Sequence, residues 1–166
     1  MLCKETGIID LGEGRIIRPG MTKAELLASP VFDQFFDSSK KAALEKPERS
    51  YFCLKPLMAY DVPIVVTIEF WDGKGDWLDR VTITHASNLL PLEEHTKELT
   101  LAAFYELKKI YDRDAGWPEK YRDIAEGPNS DIISPIYDWG DVSIGVDARE
   151  WLYAELTVSY HHGVRV

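Results

Sequence analysis

The stretch Pro63-Ile64-Val65-Val66-Thr67-Ile68-Glu69-Phe70-Trp71-Asp72 decides the fold. Ile64, Val66, Ile68 and Phe70 recur at every second position, and Thr67 and Glu69 fall between them. Successive side chains of a strand point to opposite faces, so this period predicts a strand with one buried and one polar face. Gly73-Lys74-Gly75-Asp76 follows and reads as a hairpin turn, because its glycines can take positive φ. Trp77 to His85 is the returning strand, with Val81 and Ile83 directed inward.

Working outward, Tyr51 to Tyr60 reads as another strand, disturbed by Pro56, which lacks the N–H that a sheet ladder needs. Towards the C-terminus, Ile132 to Tyr137, Val142 to Val146 and Trp151 to Tyr160 read as strands. Leu152, Ala154, Leu156 and Val158 alternate inward in the last of them. Between these groups a long helix is expected from Glu93 to Arg113, with Leu99, Ala103, Leu107, Ile110 and Tyr111 at helical spacing. Its start is acidic at Glu93 and Glu94, and its end is basic at Lys108, Lys109 and Arg113, which suits the helix dipole. Gly116 and Pro118 stop it.

Near the N-terminus, Thr22-Lys23-Ala24-Glu25 is a capping-box pattern ahead of Leu26 and Leu27, and predicts a short helix. Ser29-Pro30 interrupts it, and a further turn is expected from Val31 to Phe36. Ile8 to Arg18 reads as a small hairpin or a looped strand, and Ser38 to Arg49 as a helical linker or loop. Asn88 to Leu92 is a connector and Trp117 to Pro128 a loop. The expectation is one α+β domain over residues 1–166. A twisted antiparallel sheet of about five to seven strands would pack against one long helix, with a short N-terminal helix added.

Charge is unevenly distributed. Residues 1–60 hold eight acids and nine bases, whereas residues 61–166 hold twenty acids and ten bases. Between Arg122 and Arg149 lie Asp123, Glu126, Asp131, Asp138, Asp141 and Asp147, with no Lys or Arg. Such a field repels nucleic acid and anionic lipid and speeds the encounter with cationic proteins. Solubility alone is the competing explanation.

Cys53 sits in an apolar strand-like run, where a free thiol is usually a small buried hydrophobe, and Cys3 lies near the terminus. Two cysteines do not make a disulfide scaffold in a chain of 166 residues. Met1 to Gly20 alternates charges with glycines and lacks the apolar core of a signal peptide. No run approaches the roughly 18 apolar residues of a membrane span. A soluble protein of a reducing, bacterial-type cytoplasm is expected.

Catalytic signatures are missing from the sequence. His161 and His162 are adjacent and would point to opposite faces of a strand; His85 and His95 are the one pair that could meet, near the helix start. No zinc, EF-hand, nucleophile-elbow or phosphate-loop spacing occurs. No cofactor, metal or catalytic residue is expected, and a binding protein is favoured over an enzyme. The informative feature is the pairing of carboxylate with indole at Trp71-Asp72, Asp76-Trp77 and Asp138-Trp139, all in or beside expected turns. Aromatic anchors with carboxylates that select a basic partner suit a protein interface. The same pairing would suit a sugar site or a hydrolase, and a purely structural role for the tryptophans at the core edge is the alternative. Asp72, Asp76, Trp77, Asp131, Asp138, Trp139, Asp141 and Asp147 are therefore the candidate partner-binding residues.

In the segments Pro19-Gly20-Met21-Thr22-Lys23-Ala24-Glu25-Leu26-Leu27 and Asp138-Trp139-Gly140-Asp141-Val142-Ser143-Ile144, the chain resembles the immunity proteins of bacterial contact-dependent growth inhibition and related polymorphic toxin systems. The likeness is one of style over the whole chain and transfers no functional residue. It implies a tight inhibitor of a cognate toxin, commonly a nuclease, with no direct contact to nucleic acid or membrane. An acidic surface fits that implication physically, since nucleases present cationic substrate grooves. A non-inhibitory adaptor or chaperone would share the acidic surface.

Overall fold

The computed structural model describes residues 1–37, 49–71, 77–115, 129–132, 136–148 and 152–161. The fold is α+β. A small sheet is built from β1 (Leu2–Cys3), β2 (Ile8–Asp10) and β3 (Ile16–Ile17) in that order. The large sheet contains β4 (Arg49–Cys53), β5 (Leu57–Ala59), β6 (Val62–Trp71), β7 (Trp77–His85), β8 (Asn129–Ile132), β9 (Ile136–Tyr137), β10 (Gly140–Asp147) and β11 (Tyr153–Tyr160). Its order is β4-β6-β7-β11-β10-β8, with β5 added on β6 and β9 on β10, and all pairings are antiparallel.

The register aligns the apolar positions of successive strands. Ile144 pairs with Leu156, Leu156 with Ile83 and Ile83 with Val66. Val142, Val158, Val81, Ile68 and Phe52 form a second row in the same way. Both rows are fully or almost fully buried. A long helix, α2 (Lys97–Asp114), packs on this inner face over β7, β10 and β11 through Thr100, Ala103, Phe104, Leu107, Ile110 and Tyr111. Over β4 and β6 the inner face is met by Phe35, whose ring lies 5.1 Å from that of Phe52, itself 6.0 Å from Phe70. Phe35 follows α1 (Lys23–Leu27) and a 3-10 turn, Pro30–Gln34, that bury Leu26 and Val31. The expected capping box of α1 is formed: Thr22 accepts from the Glu25 N–H, and Glu25 accepts from the Thr22 N–H at 2.7 Å.

Several boundaries differ from expectation for identifiable reasons. The strand read from Tyr51 to Tyr60 is two strands, because Pro56 cannot donate and the chain restarts at Leu57. Tyr60 and Asp61 then turn β5 into β6, both with positive φ. Helix α2 starts at Lys97 rather than Glu93, because Thr96 takes the N-cap and accepts from the Leu99 N–H at 3.1 Å. Glu93 and Glu94 belong to a separate 3-10 turn, Leu92–Glu94. Leu152 has φ 49 and precedes β11 instead of opening its alternation. The strand read from Ile132 to Tyr137 corresponds to the end of β8 and to β9, both on β10. The turn at 73–76, the linker at 38–48 and the loop read from Trp117 to Pro128 lie outside the described residues.

Candidate functional site

The outer face of the large sheet carries the complement of the core positions. Directly opposite residues share a face, so the register defines its rows. Cys53, Thr67, Thr82, Thr157 and Ser143 form one row across five strands. Tyr51, Glu69, Arg80, Ser159 and Asp141 form the next. Val65, Thr84, Glu155 and Gly145 form the row on the other side, and Asp131 pairs with Gly145 in register. At one end Trp71 pairs with Trp77, and at the other end of β10 Asp147 pairs with Tyr153. The face is thus a hydroxyl-lined floor with carboxylates on it and aromatic side chains at its margins.

Local chemistry holds these groups in place. Tyr51 donates its hydroxyl to Glu69 Oε1 at 3.2 Å, and Glu69 is only 8 % exposed. Cys53 Sγ lies 3.0 Å from Thr67 Oγ1, which ties the thiol into the floor. Burial holds the Glu155 carboxyl above the usual carboxylate range, while the Arg80 charge and a hydrogen bond with Thr157 pull it back. Trp71 and Trp77 remain 40 % and 38 % exposed. Arg80 pairs with Glu69 in register, and its charge reaches Glu155.

The candidate residues are not all brought together. Asp141, Asp147 and Trp77 lie on the outer face, and Asp131 occupies a register position beside it. Asp138 is exposed in the turn between β9 and β10. Asp72 and Asp76 lie outside the described residues. Trp139 has to be withdrawn from the interface: its indole is 3 % exposed. That ring stacks on Tyr137 with centroids 5.0 Å apart and donates its N–H to the Lys4 carbonyl at 2.9 Å. Gly7 has φ 71, and any side chain there would run into the Trp139 ring. Tyr160 donates to the Gly7 carbonyl at 3.0 Å, so this aromatic cluster fastens the small sheet to the large one. Glu69, Arg80, Glu155, Tyr51 and Trp71 complete the outer face and were absent from the candidate set. The alternation that marked the core marks them too, one residue out of phase.

His85 and His95 serve local structure. His85 Nδ1 accepts from the Ser87 N–H at 3.1 Å and caps the 3-10 turn Ala86–Leu89, and burial lowers its pKa. His95 Nε2 lies 3.2 Å from the Leu90 carbonyl oxygen. Among the described residues no group of three or more His, Cys, Asp and Glu side chains is placed to hold a metal ion. No helix among them is long and apolar enough to cross a membrane. The chain matches no protein-family model, no curated protein and no solved structure.

Proposed function

We propose that the protein is a cytoplasmic, non-enzymatic inhibitor, an immunity protein that neutralises a cognate basic toxin by covering its active groove with the outer face of the large sheet. The observation that carries this reading is the composition of that face. Glu155, Asp141 and Asp147 share a hydroxyl-lined sheet face with Arg80, and Trp71 and Trp77 stand exposed at one end. Carboxylates select and steer a cationic partner, and exposed aromatics supply the anchoring contact area. A nuclease suits the partner's role because its groove is already built for polyanions.

Co-expression tests the reading. The chain should restore growth to cells that produce its cognate toxin. A variant carrying Asp141→Asn, Asp147→Asn and Glu155→Gln should fold and fail to protect. Full protection by that folded variant would sink the proposal. The exposed Trp71–Trp77 pair over a hydroxyl floor also supports a saccharide-binding reading. Quenching of Trp fluorescence by oligosaccharides, lost in Trp77→Ala, would favour it over protein binding.

A further inference from the structure

Leu89-Leu90-Pro91-Leu92 is a run of four consecutive apolar residues, and all of them are exposed. The leucines are 52 %, 41 % and 79 % exposed in chain order. Single exposed leucines carry no message, but an exposed run of this length is a cost to solubility that persists where it serves contact. The run is also fixed in shape. His85 caps the turn Ala86–Leu89, the Leu90 N–H donates to the Ser87 carbonyl at 3.0 Å, and His95 Nε2 lies against the Leu90 carbonyl. Beyond it the Glu94 N–H donates to the Pro91 carbonyl at 2.9 Å, and Thr96 caps α2. A pre-shaped loop loses little conformational freedom on binding.

We infer that Leu89–Leu92 is a docking finger that enters an apolar pocket, rimmed by Lys or Arg, on a protein partner. The charge around it identifies the rim: Glu93, Glu94 and Glu98 follow directly, all exposed, against Lys97. The same carboxylates oppose insertion into an anionic membrane, and they would face their own copies across a two-fold axis. The finger is remote from the aromatic end of the outer face and shares no residue with that face. It follows His85 at one end of β7, while Trp77 is at the other, roughly 25 Å away over eight strand steps. It therefore stands or falls separately from the proposed function.

The full chain carrying a photo-reactive benzoylphenylalanine at position 92 would be irradiated in an extract of the source cells. The cross-linked protein would be identified by mass spectrometry, purified, and titrated against unmodified chain. Leu92→Ser should weaken that affinity at least roughly tenfold, as expected for losing one buried leucine side chain. Glu93→Gln with Glu94→Gln should weaken it further and reduce its salt dependence. Because these side chains are exposed, the thermal midpoint should stay within a few degrees of wild type, and Leu89→Ser repeats the test should Leu92→Ser shift it. The inference is overturned by adducts only with a second copy of the chain, by co-sedimentation with phosphatidylglycerol vesicles in place of a protein adduct, or by no adduct at all. It is equally overturned by an identified partner whose affinity ignores Leu92→Ser.

Discussion

The Trp139 indole is packed between Tyr137, Tyr160 and Gly7, whereas Asp138, one residue earlier, lies exposed in the turn. The two should respond oppositely to substitution. Trp139→Ala should cost about 3–5 kcal/mol of stability, as for other large aromatic truncations in cores. Asp138→Asn should change stability by less than about 0.5 kcal/mol. Urea denaturation of both variants checks this, and a cost at Asp138 comparable with that at Trp139 would mean the turn is structural. Adjacent in sequence, the pair looked like one interface feature. The contact that separates them reaches Lys4, 135 residues away, and no local pattern announces it. Glu155 makes a second residue-level case. Its folded pKa is raised by burial, so the folded chain holds that proton better than the unfolded chain. Ionisation therefore costs folded stability, and the cost grows as pH rises through the carboxylate range. Glu155→Gln should raise the unfolding free energy at pH 7, with the gain shrinking towards acid pH. A carboxylate kept at a cost to stability is expected where function requires it.

At the level of elements, the β6–β7 pair was readable from Ile64, Val66, Ile68 and Phe70 against Val81 and Ile83, because a period of two and burial on one face express the same constraint. The capping box at Thr22 was readable because its two hydrogen bonds are local. The start of α2 was misplaced because acidic residues suit any first turn, while the side chain that fixes the boundary is Thr96. Thr96→Ala should cost about 1 kcal/mol and fray the first turn. Loss of amide protection at Leu99 and Thr100 in hydrogen exchange is the readout, and unchanged protection would move the cap elsewhere. The connector before α2 has its own pH dependence. The pKa of His85 is lowered by burial, so the unfolded chain takes up the proton first as pH falls. Its contribution is complete above the ordinary histidine value of about 6.5 and is lost on acidification. The His85 contribution should therefore decline from pH 7 towards pH 5, and the stability difference between wild type and His85→Asn should change over that range; a difference that stays constant would assign the pH dependence to other groups.

For the molecule as a whole, the proposed function divides one sheet between two tasks. Its inner face, with α2 and the aromatic contact from Phe35, supplies the core, and Ile68→Ala at the centre of that face should cost roughly 2–5 kcal/mol. Its outer face was only half legible. Asp141, Asp147 and Trp77 were chosen as acids and indoles near turns, but their grouping with Glu69, Glu155 and Trp71 depends on the strand order β6-β7-β11-β10, which periodicity within single strands does not determine. The central claim is that this face meets a basic protein surface. It is tested most directly by the association rate constant with the proposed cognate toxin, measured by stopped flow from about 20 to 500 mM salt. Steering between opposite charges is screened as the Debye length shortens from above 20 Å to below 5 Å. The rate should fall at least tenfold over that range, and Asp141→Asn with Asp147→Asn should lower the low-salt rate and flatten the slope. A wild-type rate that is the same at both ends of the range would contradict the account.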